Sequence, residues 1–316
     1  MTALATQRLF PDAAGLRAAA AILRQGGLVA FPTETVYGLG ADARNGAAVA
    51  AVYAAKGRPA FNPLIVHVTD LDAVRRLCIV HDQAACLARA FWPGALTMVL
   101  PLRPDHGIAG LVTAGQTTLA VRVPDHPVAQ ALLAACDAPV AAPSANPSGR
   151  ISPTTATHVL AGLAGRIAAV LDGGACGLGL ESTIIGWQPE PVLLRAGGLP
   201  AEVIEAVLGQ PLGQPAAGSG PTAPGQLASH YAPSGQVRLN ATTVRPGEIL
   251  LGFGPGPATL NLSDRGDLTE AAANLFGHLH RLDALGATHI AVAPIPDTGL
   301  GRAINDRLQR AAAPRP

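Results

Sequence analysis

The chain has 316 residues, of which 49% are apolar, and its formal net charge is +1, from 22 basic and 21 acidic side chains. This length is enough for one large core or for two domains of ordinary size, at roughly 100–200 residues per domain. So balanced a charge argues against a protein held on nucleic acid or on an anionic membrane, although it allows local basic patches. The N-terminus has no basic segment followed by an apolar one, and no apolar run approaches the roughly 20 residues that span a bilayer. We therefore expect a soluble, cytoplasmic protein with no membrane segment.

Cysteine and lysine usage give two further expectations. The four cysteines, Cys78, Cys86, Cys136 and Cys176, form no CxxC pair and no metal-ligand spacing. They are predicted to be buried, small apolar residues in a reducing compartment, and we predict no metal-binding residue. Lys56 is the only lysine among the 22 basic residues. Because arginine cannot reproduce a compact ammonium charge, Lys56 is a candidate functional residue, with chance codon drift as the alternative.

Short apolar strands alternate with amphipathic helices over the first two thirds of the chain. The predicted helices cover 12–25, 46–56, 127–136, 154–164 and 200–208. The predicted strands cover 28–32, 63–68, 95–102, 117–123, 139–143, 167–172, 182–187 and 191–195. Because several of these strands follow one another without a helix between them, the pattern predicts an α/β domain with a mixed sheet.

A segment almost free of bulky side chains, 209–226, comes next and is predicted to be a linker. Beyond it, strands at 247–253 and 288–295 alternate with a helix that starts after Asp267 and a helix at 301–312, which indicates a small β-α-β-α unit with a parallel sheet. Asp267 and Glu270 resemble a capping box at the start of the first of these helices. The predicted organisation is a first domain over 1–208, a linker or lid over 209–235, and a small α/β domain over 236–316.

Polar residues cluster where the predicted strands and helices of the first domain end. The segment from Pro32 to Gly40, which contains Thr33 and Thr35, follows a strand and suits a ligand loop, with an ordinary capping turn as the alternative. Lys56 and Arg58 lie at a helix end shortly before Asn62 and could clamp an anion, or could simply be a solvated basic pair. There is no GxxxxGK[ST] motif, so any phosphate site here is not a P-loop. His67 lies in an apolar strand and is also compatible with a core histidine.

Further candidates follow along the chain. Arg122 interrupts an apolar strand and needs a partner, which could be a carboxylate of the protein or of a ligand. Ala142, Ser144, Asn146 and Ser152 lie in a segment rich in Pro and Gly, where hydroxyl, amide and backbone N–H groups could bind phosphate or ribose, or form a simple turn. Glu181-Ser182-Thr183 and Leu194-Arg195 come next. His230 and Tyr231, at the end of the linker, suit either a lid or an anchor.

The order of these segments is more specific than any one of them. The series PTETVYGLG, KGRP with NPLIVHV, WPGALTMVL, TTLAVRVP, APSAN, ESTII, LLRAG and HYAP resembles the YrdC-type L-threonylcarbamoyladenylate synthase family in its long form, and GLGRAINDR resembles the C-terminal end of that form. The segment after Leu194 reads Arg-Ala-Gly where the family more often has Arg-Pro-Gly. The resemblance implies a YrdC-like twisted mixed sheet with flanking helices and a small Rossmann-like C-terminal domain.

The resemblance also implies a reaction and a set of contacts. Such enzymes condense L-threonine, bicarbonate and ATP, with Mg²⁺, into L-threonylcarbamoyl-AMP and pyrophosphate, and tRNA-modifying proteins receive the product. By similarity, Thr35, His67, Arg122 and Ser182 contact L-threonine, and Thr33 shares that pocket. By similarity, Arg58, Asn62, Thr118, Ala142 (through its backbone), Ser144, Ser152, Arg195 and Tyr231 contact ATP, with Asn146 in support. Lys56 and Arg58 are predicted to be catalytic, near the phosphates or the carbamate.

Two other functions are compatible with the sequence. A concave surface of this kind could bind RNA, as an RNA-binding or ribosome-associated module, although the net charge and the 3% aromatic content argue against it. Whether the chain touches tRNA directly stays open. A carbamoyl-transferring domain of hydrogenase maturation is a third possibility, but the zinc-finger cysteines that usually accompany it are missing from the sequence.

Overall fold

The computed structural model describes residues 4–215 and 230–314. Its helices are α1 (Ala13–Arg24), α2 (Gly46–Lys56), α3 (Leu71–Leu77), α4 (Asp82–Phe91), α5 (Gly110–Thr113), α6 (Pro127–Cys136), α7 (Ala156–Leu163), α8 (Ala201–Leu208), α9 (Leu268–Ala284) and α10 (Leu300–Ala312). Its strands are β1 (Gln7–Leu9), β2 (Val29–Phe31), β3 (Gly38–Asp42), β4 (Ile65–His67), β5 (Leu96–Pro101), β6 (Thr118–Arg122), β7 (Val140–Ala141), β8 (Ala169–Leu171), β9 (Thr183–Trp187), β10 (Pro191–Arg195), β11 (Gln236–Arg238), β12 (Ile249–Gly252), β13 (Leu260–Asn261) and β14 (His289–Val292).

The first ten strands form one large sheet in the order β1-β8-β2-β3-β7-β4-β6-β5-β9-β10. Parallel pairs such as β4–β6 and β5–β9 alternate with antiparallel pairs such as β2–β3 and β5–β6. The predicted mixed sheet is therefore confirmed. The predicted strands and helices of this part are all present with slightly different ends, whereas β1, β3, α3, α4 and α5 were not predicted.

One part of the predicted ligand loop is a strand. Residues 38–42 form β3, which pairs with β2 and places Gly40 opposite Val29. A Cβ at Gly40 would lie 2.9 Å from Cε1 of Phe31 and 3.0 Å from Cγ1 of Val140. The glycine therefore permits close packing inside the sheet, and only the segment that precedes β3 is free to act as a loop.

Local signals fix the helix that presents the basic pair. The Asn45 side chain accepts hydrogen bonds from the backbone N–H of Ala47, at 3.0 Å, and of Ala48, at 3.1 Å, which caps the start of α2. Gly57 ends the helix with a φ of 60°, in the left-handed region that favours glycine. Lys56 and Arg58 thus flank the glycine at which α2 ends.

The C-terminal unit has a sheet of its own. Its strands lie in the order β11-β14-β12-β13, and the three pairings are all parallel, as predicted. Two of these strands, β11 and β13, were not predicted. The predicted capping box is only half formed: Asp267 accepts from the N–H of Glu270 at 2.8 Å, but the Glu270 carboxylate accepts from Ser263 Oγ at 2.7 Å. The residue that contacts the Asp267 N–H is Ser263, at 2.9 Å.

The C-terminal unit packs against loop residues of the first unit. Ile151, Leu180 and Tyr231 share one apolar cluster with Leu275 and Phe276 of α9. Residues 216–229, which make up most of the predicted linker and lid, lie outside the described residues. Among the described residues, no helix is long and apolar enough to cross a membrane. All four cysteines are free thiols and three are buried, but Cys86 is partly exposed, contrary to the prediction.

Candidate functional site

A pocket lies on the large sheet, and His230 and Tyr231, where the described chain resumes, form part of its wall. Most of the predicted site residues line it. The lining consists of Thr33, Thr35, Val36, Gly38, Arg58, Ile65, His67, Arg122, Ala142, Pro143, Ser144, Glu181, Ser182, Arg195, His230 and Tyr231. Three arginines against one glutamate make its charged lining mainly cationic, which suits an anionic ligand.

Strand register brings one end of the pocket together. His67 and Arg122 are the last residues of the parallel strands β4 and β6, and they lie directly opposite each other. Carboxyl ends of neighbouring parallel strands are where open α/β sheets bind ligands. Ser182 immediately precedes β9, which is separated from β6 only by β5. The Ser182 hydroxyl lies 2.7 Å from the hydroxyl of Thr97 in β5. Side chains from three distant chain segments therefore converge here because the sheet order requires it.

Arg122 has a protein partner that the sequence analysis did not single out. Its Nη2 lies 2.5 Å from Oε1 of Glu34, and its Nη1 donates to Thr35 Oγ1 at 2.9 Å. The Arg122 side chain is buried, whereas the Glu34 side chain is 19% exposed. The ion pair therefore lies at the wall of the pocket. Glu34 lies between Thr33 and Thr35. In the sequence, only the need of Arg122 for a counter-ion could have indicated that Glu34 contributes to the site.

The hydroxyls of Thr33 and Thr35 are ordered by each other. They lie 2.7 Å apart, and Thr33 Oγ1 also donates to the Val36 carbonyl at 2.7 Å. Because Thr35 accepts from Arg122, the two threonines extend one hydrogen-bonded chain along the pocket wall. This chain fixes the orientation of the guanidinium without neutralising it.

His67 is a neutral, unsatisfied imidazole. Burial, with a smaller contribution from the nearby Arg122, lowers the pKa of the His67 imidazole to about 3. Its Nδ1 is buried and has no hydrogen-bond partner among the described residues. A buried polar atom without a partner is costly, so this nitrogen is available to a ligand.

Arg58, Arg195 and Ser144 also line the pocket. Arg58 donates from Nη2 to the Pro63 carbonyl at 2.9 Å, and burial lowers its pKa to about 10, which leaves it charged at neutral pH. Arg195 donates from Nη2 to the Ser182 carbonyl at 2.8 Å. Ser144 faces Gly38 through an isolated bridge between their backbones. Two buried guanidiniums near one another repel, so an anion between them would be strongly favoured.

Lys56 lies behind the pocket and not on its wall. Its buried ammonium donates to the backbone carbonyls of Ser144 and, at 2.5 Å, of Asn146. Burial, with Arg58 adding to it, lowers the pKa of Lys56 well below its usual value. The Asn146 side chain in turn donates to the Arg150 carbonyl at 2.8 Å. Both side chains therefore hold the segment that presents Ser144.

Three other predicted residues lie outside the lining described above. Asn62 keeps both side-chain polar atoms buried and without a hydrogen-bond partner in the described part of the chain. Ser152 is buried and donates to Oε1 of Glu181 at 2.5 Å. Thr118 begins β6, at the opposite end of the strand from Arg122. Glu181, which the sequence analysis quoted but assigned no role, is the acidic group of the pocket lining.

His230 and Tyr231 form the cover of the pocket where the described chain resumes. Tyr231 adopts a φ of 61° and stacks on Phe276 of α9, with ring centroids 5.6 Å apart. His230 packs against it, with ring centroids 4.1 Å apart. The pair is buried and held by the C-terminal unit, which agrees with an anchor at this end of the linker.

Acid should destabilise the protein through His67. Its ordinary pKa is 6.5 and its folded pKa is about 3, so between these values the unfolded chain binds more protons and the folded state loses stability as the pH falls. Between about pH 7.5 and about pH 5 this histidine alone should cost roughly 2 kcal/mol. Urea unfolding of the wild type and of His67→Gln at both pH values checks this. The wild type should lose roughly 2 kcal/mol more than the variant, and equal losses contradict the assignment.

Two family profiles match the chain. Residues 21–197 match the Sua5/YciO/YrdC family, described as telomere recombination, and residues 199–313 match the C-terminal domain of threonylcarbamoyl-AMP synthase. The threonylcarbamoyl-AMP synthase of Bacillus subtilis is 42% identical, over 94% of this chain and 92% of its own. That of Pyrococcus abyssi is 39% identical, over 95% of this chain and 94% of its own.

A solved structure agrees over nearly the whole chain. The crystal structure of P. abyssi Sua5 complexed with L-threonine has a TM-score of 0.87 and 38% sequence identity, and the match covers 97% of each chain. The likeness includes the second sheet as well as the large one. The chain therefore belongs to the Sua5/YrdC family of threonylcarbamoyl-AMP synthases.

Proposed function

We propose that this chain condenses L-threonine, bicarbonate and ATP into L-threonylcarbamoyl-AMP and pyrophosphate, as a nucleotidyltransferase. The observation that carries this is one mainly cationic pocket, in a member of this family, lined by three arginines. The threonine amine adds to bicarbonate to give a carbamate and water. A carbamate oxygen then attacks the α-phosphorus of ATP, and pyrophosphate leaves. The protein's task is to hold two anions together and to stabilise negative charge.

The end that contains Arg122 suits the amino acid. In this proposal Arg122 binds the threonine carboxylate, with Thr35 and Thr33 ordering its guanidinium. The unpartnered Nδ1 of His67 accepts a hydrogen bond from the amine or the hydroxyl of threonine. A neutral imidazole serves here because a second cation beside Arg122 would repel the ammonium form of the substrate. Ser182 closes the pocket from the β9 side.

The end that contains Arg58 and Arg195 suits the nucleotide. Their guanidiniums bind the phosphates, and Ser144 with the backbone of Ala142 supplies further donors. Asn62, Thr118 and Ser152 are proposed ATP contacts that lie outside the lining described above, and Lys56 and Asn146 support the Ser144 segment. Tyr231 covers the nucleotide from the C-terminal side.

The lining does not fit a Mg²⁺ ion held by the protein. No cluster of three or more His, Cys, Asp or Glu that could hold a metal exists within 4–215 and 230–314. The carboxylate of the lining, Glu181, already accepts from Ser152 and Arg307. We propose that the Mg²⁺ of the reaction arrives with ATP, bound to its phosphates.

The setting of the enzyme is also a proposal. We propose a cytoplasmic enzyme whose product passes to tRNA-modifying proteins that form threonylcarbamoyladenosine in tRNA. The division into domains over 1–208 and 236–316, with a linker between them, stays a prediction. No observation favours the alternative of an RNA-binding module.

Incubation with L-threonine, bicarbonate, Mg²⁺ and ATP tests the proposed function. Mass spectrometry should detect the AMP conjugate of threonylcarbamate, and pyrophosphate should appear in equal amount. Both signals should fall to background when threonine is omitted, because the carbamate is the nucleophile. Pyrophosphate release that does not depend on threonine, or tight RNA binding without conjugate formation, would contradict the proposal.

A further inference from the structure

A buried ion pair joins the C-terminal helix to the wall of the pocket. Arg307 of α10 is 1% exposed, and its Nε donates to Oε2 of Glu181 at 2.8 Å. Its Nη1 donates to Asp306 at 2.6 Å, and its guanidinium lies 5.1 Å from the ring centroid of Tyr231. None of these contacts belongs to the reaction described above, yet Glu181 and Tyr231 both line the pocket.

Glu181 also contacts or adjoins groups that are proposed to bind substrates. Its second oxygen accepts from Ser152 Oγ at 2.5 Å. The next residue, Ser182, accepts from Arg195 at its carbonyl. Burial by itself would raise the pKa of Glu181, but the positive charges of Arg307 and Arg195 hold this pKa below its usual range. The Glu181 carboxylate thus connects Arg307 with one proposed ATP contact, Ser152, and the residue that follows it accepts from a second one, Arg195.

The buried carboxylate depends on its cation. A fully buried charge is tolerated only when it is paired and hydrogen-bonded. Without Arg307, Glu181 would rotate toward Arg195, which would release Ser152, or take up a proton, which would weaken the hydrogen bond from Ser152. Arg195 would then be drawn from the phosphates toward this carboxylate, with which it already interacts electrostatically.

The segment GLGRAINDR is built to fix Arg307. A Cβ at Gly301 would lie 1.8 Å from the Pro296 carbonyl oxygen, so glycine is required where α10 begins. Asn305 donates to the Ile295 carbonyl at 3.1 Å and ties the helix to the segment after β14. Asp306 binds Arg307 and, at 2.9 Å, Arg310. These contacts set both the position and the rotation of α10.

We propose that Arg307 is a positioning residue for the substrate pocket, through which the C-terminal unit holds Glu181, Ser152 and Arg195 in their substrate-binding arrangement. This inference rests on the proposed function, because it assigns those groups to the nucleotide. It gives the C-terminal unit a role in the reaction itself. The unit supplies the counter-ion without which the nucleotide end of the pocket loses its geometry.

The test compares four variants with the wild type: Arg307→Met, Glu181→Gln, the double variant, and Arg302→Met as the control. Arg302 lies on the same helix, is about half exposed and pairs with Glu202 at 3.3 Å. Steady-state pyrophosphate release gives KM for ATP and kcat, and calorimetry gives the ATP Kd. We expect each of the first three variants to raise the ATP KM at least about tenfold, with the double variant no worse than the worse single one. Arg302→Met should match the wild type.

The pattern of KM against kcat separates positioning from mere stability. A role in folding alone would lower the active fraction, and hence kcat, with the ATP KM unchanged, and that result would overturn the inference. If Arg307→Met does not fold, the double variant, which buries no unpaired charge, decides by the same criterion. If the wild type binds neither ATP nor threonine, the proposed function is refuted. If the wild type binds both and the folded variants have an unchanged ATP KM, only the role of Arg307 is refuted.

Discussion

Replacing Arg122 with methionine should nearly abolish threonine binding. The substitution keeps much of the side-chain volume but removes the guanidinium that contacts Thr35 and Glu34. Loss of one partner of a buried, hydrogen-bonded charge pair costs about 2–5 kcal/mol, so the threonine Kd should rise from about thirtyfold to several thousandfold. Isothermal calorimetry with L-threonine, in the presence of ATP, measures this directly. ATP binding without threonine should change little, because Arg58 and Arg195, the proposed phosphate ligands, are kept.

Arg75→Met is the control for this experiment. Arg75 also pairs with a carboxylate, that of Asp72 at 2.9 Å, but both side chains are more than half exposed. Exposed pairs contribute about 0–1 kcal/mol, so this variant should bind threonine like the wild type. A threonine Kd that is equal in Arg122→Met and the wild type would exclude Arg122 as the carboxylate ligand. It would leave the ion pair with Glu34 as a structural feature only.

Exchanging Lys56 for arginine should reduce turnover by about 100-fold, even though the charge is kept. The Lys56 ammonium is buried between the carbonyls of Ser144 and Asn146. A guanidinium is wider and carries five N–H donors, so it cannot fit there without displacing the loop and leaving donors unsatisfied. A shift of the Ser144 segment by about 1 Å is enough for such a loss. Steady-state pyrophosphate release measures kcat and KM, and circular dichroism confirms that the variant is folded.

Arg24→Lys provides the matched control. Arg24 is also the last residue of a helix, α1, and donates to a backbone carbonyl, that of Ala135 at 2.7 Å, but it is exposed. There the side chain has room to adjust, so turnover should be unchanged. Wild-type turnover in a folded Lys56→Arg protein would show that the single lysine is a matter of codon usage.

The sequence determined the separate elements and most of the pocket. Apolar runs and helical spacing placed most strands and helices of the first domain, because these segments bury their apolar side chains. It missed α3 and α4, and it took β3 for a loop, because Gly38 and Gly40 are typical of turns when their neighbours in space are unknown. An ordered series of motifs pointed to the family, and residues as distant as Thr35 and Ser182 were assigned to one pocket that the structure brings together.

Tertiary structure alone decided which partner each buried charge has. Nothing in the local sequence relates Arg122 to Glu34, Lys56 to the carbonyls of Ser144 and Asn146, or Arg307 to Glu181, since those contacts depend on sheet order and on the packing of the C-terminal unit. Apolar burial is proportional to area and non-directional, so it can be anticipated from composition and spacing. The pairing of a buried charge requires a specific atom within about 3 Å. Such atoms come together only when the whole chain has folded.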